Sequence, residues 1–158
     1  MSDEKHTFYC EATYTPSESV GYLLRGAWQS LLKNIDAEMQ TLDLTGMQWG
    51  PLFLIAKGCC DTVAGCARAS YSDSGAMTRM LDRLEAKGLV CRERNIEDRR
   101  VVNLALTDAG QEIARQIPGH LIKVLNLHLQ GFSEAEFEQF KGLLRRFTEN
   151  GAAIGGAE

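Results

Sequence analysis

Residues 62–110 constrain the fold of this 158-residue chain more than any other part of the sequence. Their pattern predicts a short helix, a sharp turn, a second helix and then a two-stranded β hairpin with a charged tip. That order is the layout of a winged helix-turn-helix, whose second helix enters the major groove of DNA. The sequence therefore predicts a mainly α fold with a small β wing, and a role in reading DNA.

The second helix of this segment supplies most of the predicted DNA contacts. Met77, Met80 and Leu81 face inward by their spacing, whereas small polar residues occupy the outward side near the helix start. Small side chains let a helix N-terminus approach the major groove, and they leave its backbone N–H groups near phosphates. An ordinary solvated face would produce the same pattern if this helix stood alone. The predicted contacts from this helix and its flanks are Arg68, Ser72, Asp73, Ser74, Gly75, Thr78 and Arg79.

The hairpin that follows favours the DNA interpretation, because the charge density of its tip has no role in a core. Asp98 and Arg100 are two residues apart, so on an extended chain they point the same way and can pair. A carboxylate that pairs with a guanidinium lowers the entropy cost of placing that arginine in an adjacent minor groove. The sequence leaves open whether Arg99 or Arg100 enters that groove. The predicted contacts from the wing are Arg94, Asp98, Arg99 and Arg100.

The net charge of −4 at first argues against a nucleic-acid partner. From Arg68 to Arg100, however, eight basic residues outnumber six acidic ones, so this segment carries +2 and the remainder carries −6. Phosphate binding requires a basic face and not a basic protein. No apolar run approaches the roughly 20 residues of a membrane span, and no secretory signal is recognisable. These features predict a cytoplasmic protein with no membrane partner.

Five cysteines occur in the sequence, at Cys10, Cys59, Cys60, Cys66 and Cys91. Their number is odd, a reducing compartment is expected and no C-x-x-C pair occurs, so free thiols are expected in place of disulfides or a zinc site. Cys66 is expected on a buried helix face, and the Cys59–Cys60 pair could be reactive if exposed. No Cys/His pair lies within a catalytic motif and no Gly-rich phosphate loop appears. The sequence therefore predicts no enzyme activity, no metal and no cofactor.

Long amphipathic helices flank the winged segment. Apolar residues recur at helical spacing from Val20 to Leu42, from Ile113 to Leu129 and in a last helix that ends near Phe147. Pro118 and the glycine after it are predicted to kink or locally break the second of these helices. The predicted divisions are a flexible arm at 1–16, flanking helices at 17–43 and 108–150, a winged helix-turn-helix at 44–107 and a frayed tail at 151–158.

Several short motifs resemble the multiple-antibiotic-resistance regulator (MarR) family. Leu44-Thr45 with Gln48-Trp49 is similar to its LT-x-x-QW signature, and residues 77–90 are similar to its recognition helix and first wing strand. Residues 98–100 and 106–110 resemble its wing motif and the helix start behind the wing. The resemblance covers about residues 17–147. It departs in the first reader helix, where Cys66 and Ser70 replace the usual leucines and Gly65 replaces a polar residue, which could loosen that helix.

The resemblance implies a homodimer in which the helices at 17–43 and 108–150 interleave as a dimerisation domain. The two readers would then lie about one DNA turn apart on a palindromic site. It also implies a transcriptional repressor that a small ligand releases. Residues 19–25 are similar to regulators of aromatic-acid breakdown, so the expected effector is a small aromatic carboxylate that Arg25 could clamp. The predicted ligand-binding residues are Tyr22, Arg25, Trp28, Trp49, Phe53 and His120.

Other interpretations remain open at this point. Arg25 could form a salt bridge across a dimer, and both tryptophans could be core residues. Peroxide-sensing members of the family use a cysteine near the start of the first helix, where this chain has Val20 or a neighbour, and Cys10 lies well upstream. A thiol-based redox-sensing repressor is therefore an alternative, as is a winged-helix module that binds a protein and not DNA.

Overall fold

The structure is a computed structural model that describes residues 7–94 and 102–155. The fold is mainly α with a two-stranded antiparallel wing, as predicted. Short 3-10 turns precede α1 and separate it from α2. The helices and strands in chain order are α1 (Val20–Met39), α2 (Trp49–Ala56), α3 (Val63–Ala69), α4 (Ser74–Ala86), β1 (Val90–Arg94), β2 (Val102–Leu106), α5 (Asp108–His128) and α6 (Glu134–Gly155).

The chain divides into two compact units, Met1–Val124 and Leu125–Glu158. The core of the first unit joins the end of α1 to the helix-turn-helix, the base of the wing and α5. Periodicity placed the inward face of α4 correctly, since Met77, Leu81 and Leu84 are almost fully buried. The other large buried residues of this core are Ile35, Met39, Leu44, Leu52, Leu89, Val90, Leu104, Ile117 and Val124.

The Leu-Thr-x-x-Gln-Trp motif begins the helix-turn-helix domain for structural reasons. Leu44 is fully buried. Thr45 and Gln48 form a capping box in which the Gln48 side chain accepts the Thr45 N–H at 3.0 Å. Trp49 packs against the core, which favours the core interpretation of this residue. The motif therefore fixes where α2 starts.

The Leu-Thr-x-x-Gly motif joins the wing to α5 through an unusually close backbone approach. The Thr107 hydroxyl donates to the Gly88 carbonyl at 2.6 Å and accepts the Gly110 N–H at 3.0 Å. The Thr107 N–H also donates to the Leu89 carbonyl, at 3.2 Å. A Cβ on Gly110 would overlap that same Leu89 oxygen. Glycine is therefore the residue that lets α5 pack here.

Two boundaries differ from the sequence prediction. Helix α5 is continuous through Pro118, so the predicted local break is wrong, whereas the alternative of a kink stays a prediction. A proline removes one backbone hydrogen bond, and packing of the buried residues before and after it keeps the helix intact. Helix α6 extends to Gly155, five residues into the segment expected to be frayed. None of the helices in the described ranges is long and apolar enough to cross a membrane.

The expectation of free thiols is wrong for Cys60 and Cys66, which form a disulfide. The loop after α2 turns Cys60 back onto α3, and the two Cα atoms lie 5.2 Å apart, within the range that a disulfide spans. Cys66 is buried, as predicted. Cys10, Cys59 and Cys91 are free, and Cys59 is exposed.

Candidate nucleic-acid interface

The turn between α3 and α4 sets the start of the reader helix. The Ser72 N–H donates to the Ala67 carbonyl at 3.0 Å. Asp73 then caps α4, because its carboxylate accepts the Ala76 N–H at 2.8 Å. Asp73, and not the neighbouring Ser72, is therefore the N-cap of α4. The Ser72 hydroxyl is buried and has no hydrogen-bond partner among the residues described.

The outward face at the start of α4 is small, polar and exposed, as the sequence predicted. Ser74, Gly75, Thr78 and Arg79 are all exposed. The Thr78 hydroxyl donates to the Ser74 carbonyl at 2.7 Å, which keeps this side chain close to the helix. A Cβ on Gly75 would lie 3.2 Å from the capping Asp73 carboxylate, which is tight, and in ordinary contact with Arg79 Nη1 at 3.5 Å. The face can therefore approach a flat or grooved partner closely.

Two residues of α3 and the turn extend this face. Arg68 is exposed in the last turn of α3, as predicted. Tyr71 was not among the predicted contacts, yet its side chain is 92% exposed and its φ is 52°. A positive φ is uncommon for an aromatic residue, and here the Tyr71 N–H closes the turn by donating to the Arg68 carbonyl at 3.2 Å. The sequence signal was an aromatic residue between two serines, which the turn assignment did not explain.

The wing is only partly described. Strands β1 and β2 pair from Val90 opposite Leu106 to Arg94 opposite Val102. The Leu104 N–H donates to the Asp61 carbonyl at 2.7 Å, which ties β2 to the loop before α3. The predicted contacts Asp98, Arg99 and Arg100, and the side chain of Arg94, lie outside the described residues and stay predictions.

An ion-pair cluster connects the wing to the reader helix. Arg92 of β1 binds Asp82 at 2.7 Å and also binds Glu85, both on α4. The hydrogen bond that Arg92 donates to Asp82 and the charge of Glu85 raise the pKa of Arg92. Because Arg92 is used internally, it does not count toward the basic face that could meet phosphates. Its contribution is to hold the wing at a fixed position beside α4.

The structure does not bring the predicted ligand residues together. Tyr22, Arg25 and Trp28 are exposed on α1. His120 hydrogen-bonds the Glu38 carboxylate at 3.0 Å, and Lys123 binds the same group. The hydrogen bonds from Lys123 and His120 lower the pKa of Glu38.

One predicted ligand residue lines a groove in the first unit. Phe53 borders an open cavity of about 570 Å³ where the end of α2, β2 and α5 converge. Its cations are Lys57, whose Nζ lies 5.5 Å from the centre of the Phe53 ring, and Arg115. Sequence reasoning missed both cations because three separate elements contribute to the groove. Its apolar lining includes Leu104, Leu106 and Pro118.

Comparison with known proteins agrees with this geometry. The MarR family profile matches residues 49–102. An organic hydroperoxide resistance transcriptional regulator from Bacillus subtilis (strain 168) is 33% identical over 131 residues, which cover 81% of this chain and 86% of that protein.

Solved structures show the same fold. A mutant MarR from E. coli complexed with operator DNA has a TM-score of 0.75 and 29% identity, and the match covers 80% of this chain and 91% of that one. The S. aureus MepR–DNA complex has a TM-score of 0.76 over 84% of this chain and 98% of that one. At 23% identity, this second likeness concerns the fold alone.

Proposed function

This chain belongs to the MarR family of DNA-binding transcriptional regulators, and we propose that it acts as a dimeric repressor on a palindromic DNA site. It is a regulator and not an enzyme. The observation that carries the proposal is the exposed start of α4, where small polar residues and Arg79 stand over a buried apolar face. Such a helix can enter the major groove while its first N–H groups approach a phosphate. The Arg92 cluster supports the wing as a second contact.

Apolar side chains exposed in both units support a second copy as partner. In the first unit, the early turns of α1 expose Val20, Tyr22, Leu23 and Trp28 by 41–59%. Large exposed apolar patches on a soluble protein mark association surfaces. The same α1 surface includes two residues predicted to bind ligand. In the second unit, the exposed apolar residues are Leu125, Leu127, Phe132, Phe140, Leu143, Phe147 and Ile154.

Selection of tight-binding duplexes from a random DNA pool tests the DNA-binding proposal. We expect an enriched palindrome whose half-sites lie about ten base pairs apart, because two copies of α4 related by a twofold axis would enter successive major grooves. An enriched site without twofold symmetry would contradict the dimer. No enrichment with either the oxidised or the reduced protein would favour a module that binds another protein.

The proposed releasing ligand is a small aromatic carboxylate, and we place it in the groove beside Phe53. Apolar walls and two cations suit a ring that carries one negative charge. Arg115 and Lys57 supply those cations on opposite elements, α5 and the end of α2. The groove is also lined by residues of β2, so a ligand bound there would contact the wing directly.

Titration calorimetry with benzoate and cinnamate tests this placement. Arg115→Gln is expected to weaken binding about tenfold, because a charge-assisted hydrogen bond to the carboxylate is lost. Arg25→Gln is the matched control, since it removes the same charge from the alternative site on α1. If Arg25→Gln weakens binding and Arg115→Gln does not, the ligand lies against α1 as the sequence first indicated.

A further inference from the structure

The disulfide between Cys60 and Cys66 lies at the start of the helix-turn-helix. Cys60 belongs to the loop after α2, and Cys66 is the fourth residue of α3. Cys66 is fully buried, whereas Cys60 retains 8% exposure at the edge of the core. Cys59, the residue next to Cys60, is a free and exposed thiol.

Gly65 makes room for this bond. A Cβ at position 65 would lie 3.4 Å from the Cβ of Cys60 and 3.0 Å from Oγ1 of Thr62. The contact with Thr62 is tight, and the one with Cys60 is at the edge of ordinary van der Waals distance, so a side chain at 65 would crowd the Thr62 cap and leave no spare room beside Cys60. Gly65 and Cys66 are two of the departures from the family pattern in this helix. The disulfide therefore gives both a structural reason.

The bond restrains a helix that is weak by itself. Helix α3 has only seven residues, with a glycine inside it. The carbonyl of Cys66 accepts the Ser70 hydroxyl at 2.6 Å, and the next carbonyl holds the turn that leads to the Asp73 cap. On the loop side, Asp61 follows Cys60, and its carbonyl accepts a hydrogen bond from the Leu104 N–H of β2. The disulfide thus joins α3, whose end leads into the turn before α4, to the loop that is hydrogen-bonded to β2 of the wing.

We propose that Cys60 and Cys66 form a reversible oxidation site, and that the disulfide form is the form that binds DNA. The inference rests on the proposed DNA-binding function. Proteins that bind DNA inside cells work among thiol reductants, where disulfides are rare and, when present, are usually transient and redox-sensing. Reduction would release α3 from the Cys60 loop and leave the reader helix without its covalent support.

The chemistry needs a hydroperoxide in one direction and a dithiol in the other. The Cys60 thiolate attacks the peroxide, the O–O bond breaks, and the alkoxide that leaves takes a proton from water to become an alcohol. The Cys66 thiol then attacks the sulfur of the Cys60 sulfenic acid; the S–O bond breaks as the S–S bond forms, and the hydroxyl leaves with the thiol proton as water. In reverse, one sulfur of a dithiol attacks Cys60, Cys66 leaves as a thiol, and the second reductant sulfur frees Cys60. Two electrons move each way.

The test uses the full chain and the duplex enriched from the random pool. The protein is equilibrated in graded mixtures of reduced and oxidised dithiothreitol, its thiols are identified by alkylation and mass spectrometry, and DNA affinity is measured by fluorescence anisotropy. We expect affinity to fall at least about tenfold as Cys60 and Cys66 become alkylated, since a lost disulfide removes a substantial restraint. Addition of a hydroperoxide to the reduced protein should restore the affinity for DNA.

Two variants separate this site from the other thiols. Cys60→Ser removes the bond at its more exposed end, with less disturbance of the core than a change at Cys66, and is expected to bind weakly and to ignore dithiothreitol. Cys10→Ser/Cys59→Ser/Cys91→Ser, which removes the free thiols, is the control and should respond as the natural chain does. Because the natural chain is itself tested reduced and oxidised, the outcome does not depend on how well Cys60→Ser folds.

Three results would overturn the inference. Equal affinity of the fully reduced and fully oxidised chains for the duplex would reject redox control but leave the proposed DNA-binding function standing. Tighter binding by the reduced chain would reverse the assignment of the active form. Failure of both forms to bind any duplex would reject the proposed function together with the inference that rests on it.

Discussion

Replacing Gly110 with alanine is expected to lower the free energy of unfolding by about 3 kcal/mol or more, at the upper end for overpacking. The added Cβ would overlap the Leu89 carbonyl oxygen. That oxygen is backbone, so no side-chain rotation can relieve the overlap. Leu89 is also held from both sides, because its N–H donates to Leu84 and its carbonyl accepts from Thr107. Either α5 or the wing must therefore move.

Gly119→Ala is the matched control for this change. Gly119 lies on the same helix, and a Cβ there meets no heavy atom within 4 Å among the residues described. Alanine is preferred to glycine inside a helix, so this variant should be more stable by about 0.5–1 kcal/mol. Urea unfolding followed by circular dichroism measures both variants. Equal stability of the two would mean that α5 does not approach Leu89 this closely.

The contrast between these glycines shows what the sequence could and could not predict. The spacing of apolar residues identified the buried face of α4, because periodicity reports which side of a helix is apolar. On α1 the same spacing includes residues that are exposed in the early turns and buried only near the helix end. The sequence identified the Leu-Thr-x-x-Gly motif only through its resemblance to the family, without a structural reason for the glycine. The reason for Gly110 depends on a carbonyl 21 positions away in the sequence, and such contacts exist only after the chain has folded.

For the disulfide and the candidate site as well, the sequence predicted some features, whereas others depend on contacts made only in the folded chain. The sequence placed Cys66 on a buried face, but the approach of Cys60 depends on how the loop after α2 returns to α3. On α4, the exposed polar face followed directly from helical spacing and is present in the structure. The cations of the groove, Lys57 and Arg115, lie on different elements, and no local pattern joins them.

Replacing Arg79 with alanine is expected to raise the Kd for the selected palindrome about tenfold to a hundredfold, since one good arginine contact to DNA contributes about 1–3 kcal/mol. Arg79 is the exposed arginine in the second turn of α4, beside the small residues that would lie deepest in the groove. Arg146→Ala removes the same charge from an exposed position on α6 and is the matched control. Fluorescence anisotropy over a range of salt concentrations measures both.

The salt dependence then separates two roles for Arg79. If its guanidinium binds phosphate, the slope of log affinity against log salt should fall by about 0.9 in the variant, with equal losses on the palindrome and on unrelated DNA. If it binds a base edge, the loss should be larger on the palindrome, because only that site presents the matching acceptors. Equal affinities for Arg79→Ala and Arg146→Ala would reject α4 as the reader. In that case the exposed face of α4 would be an ordinary solvated helix surface.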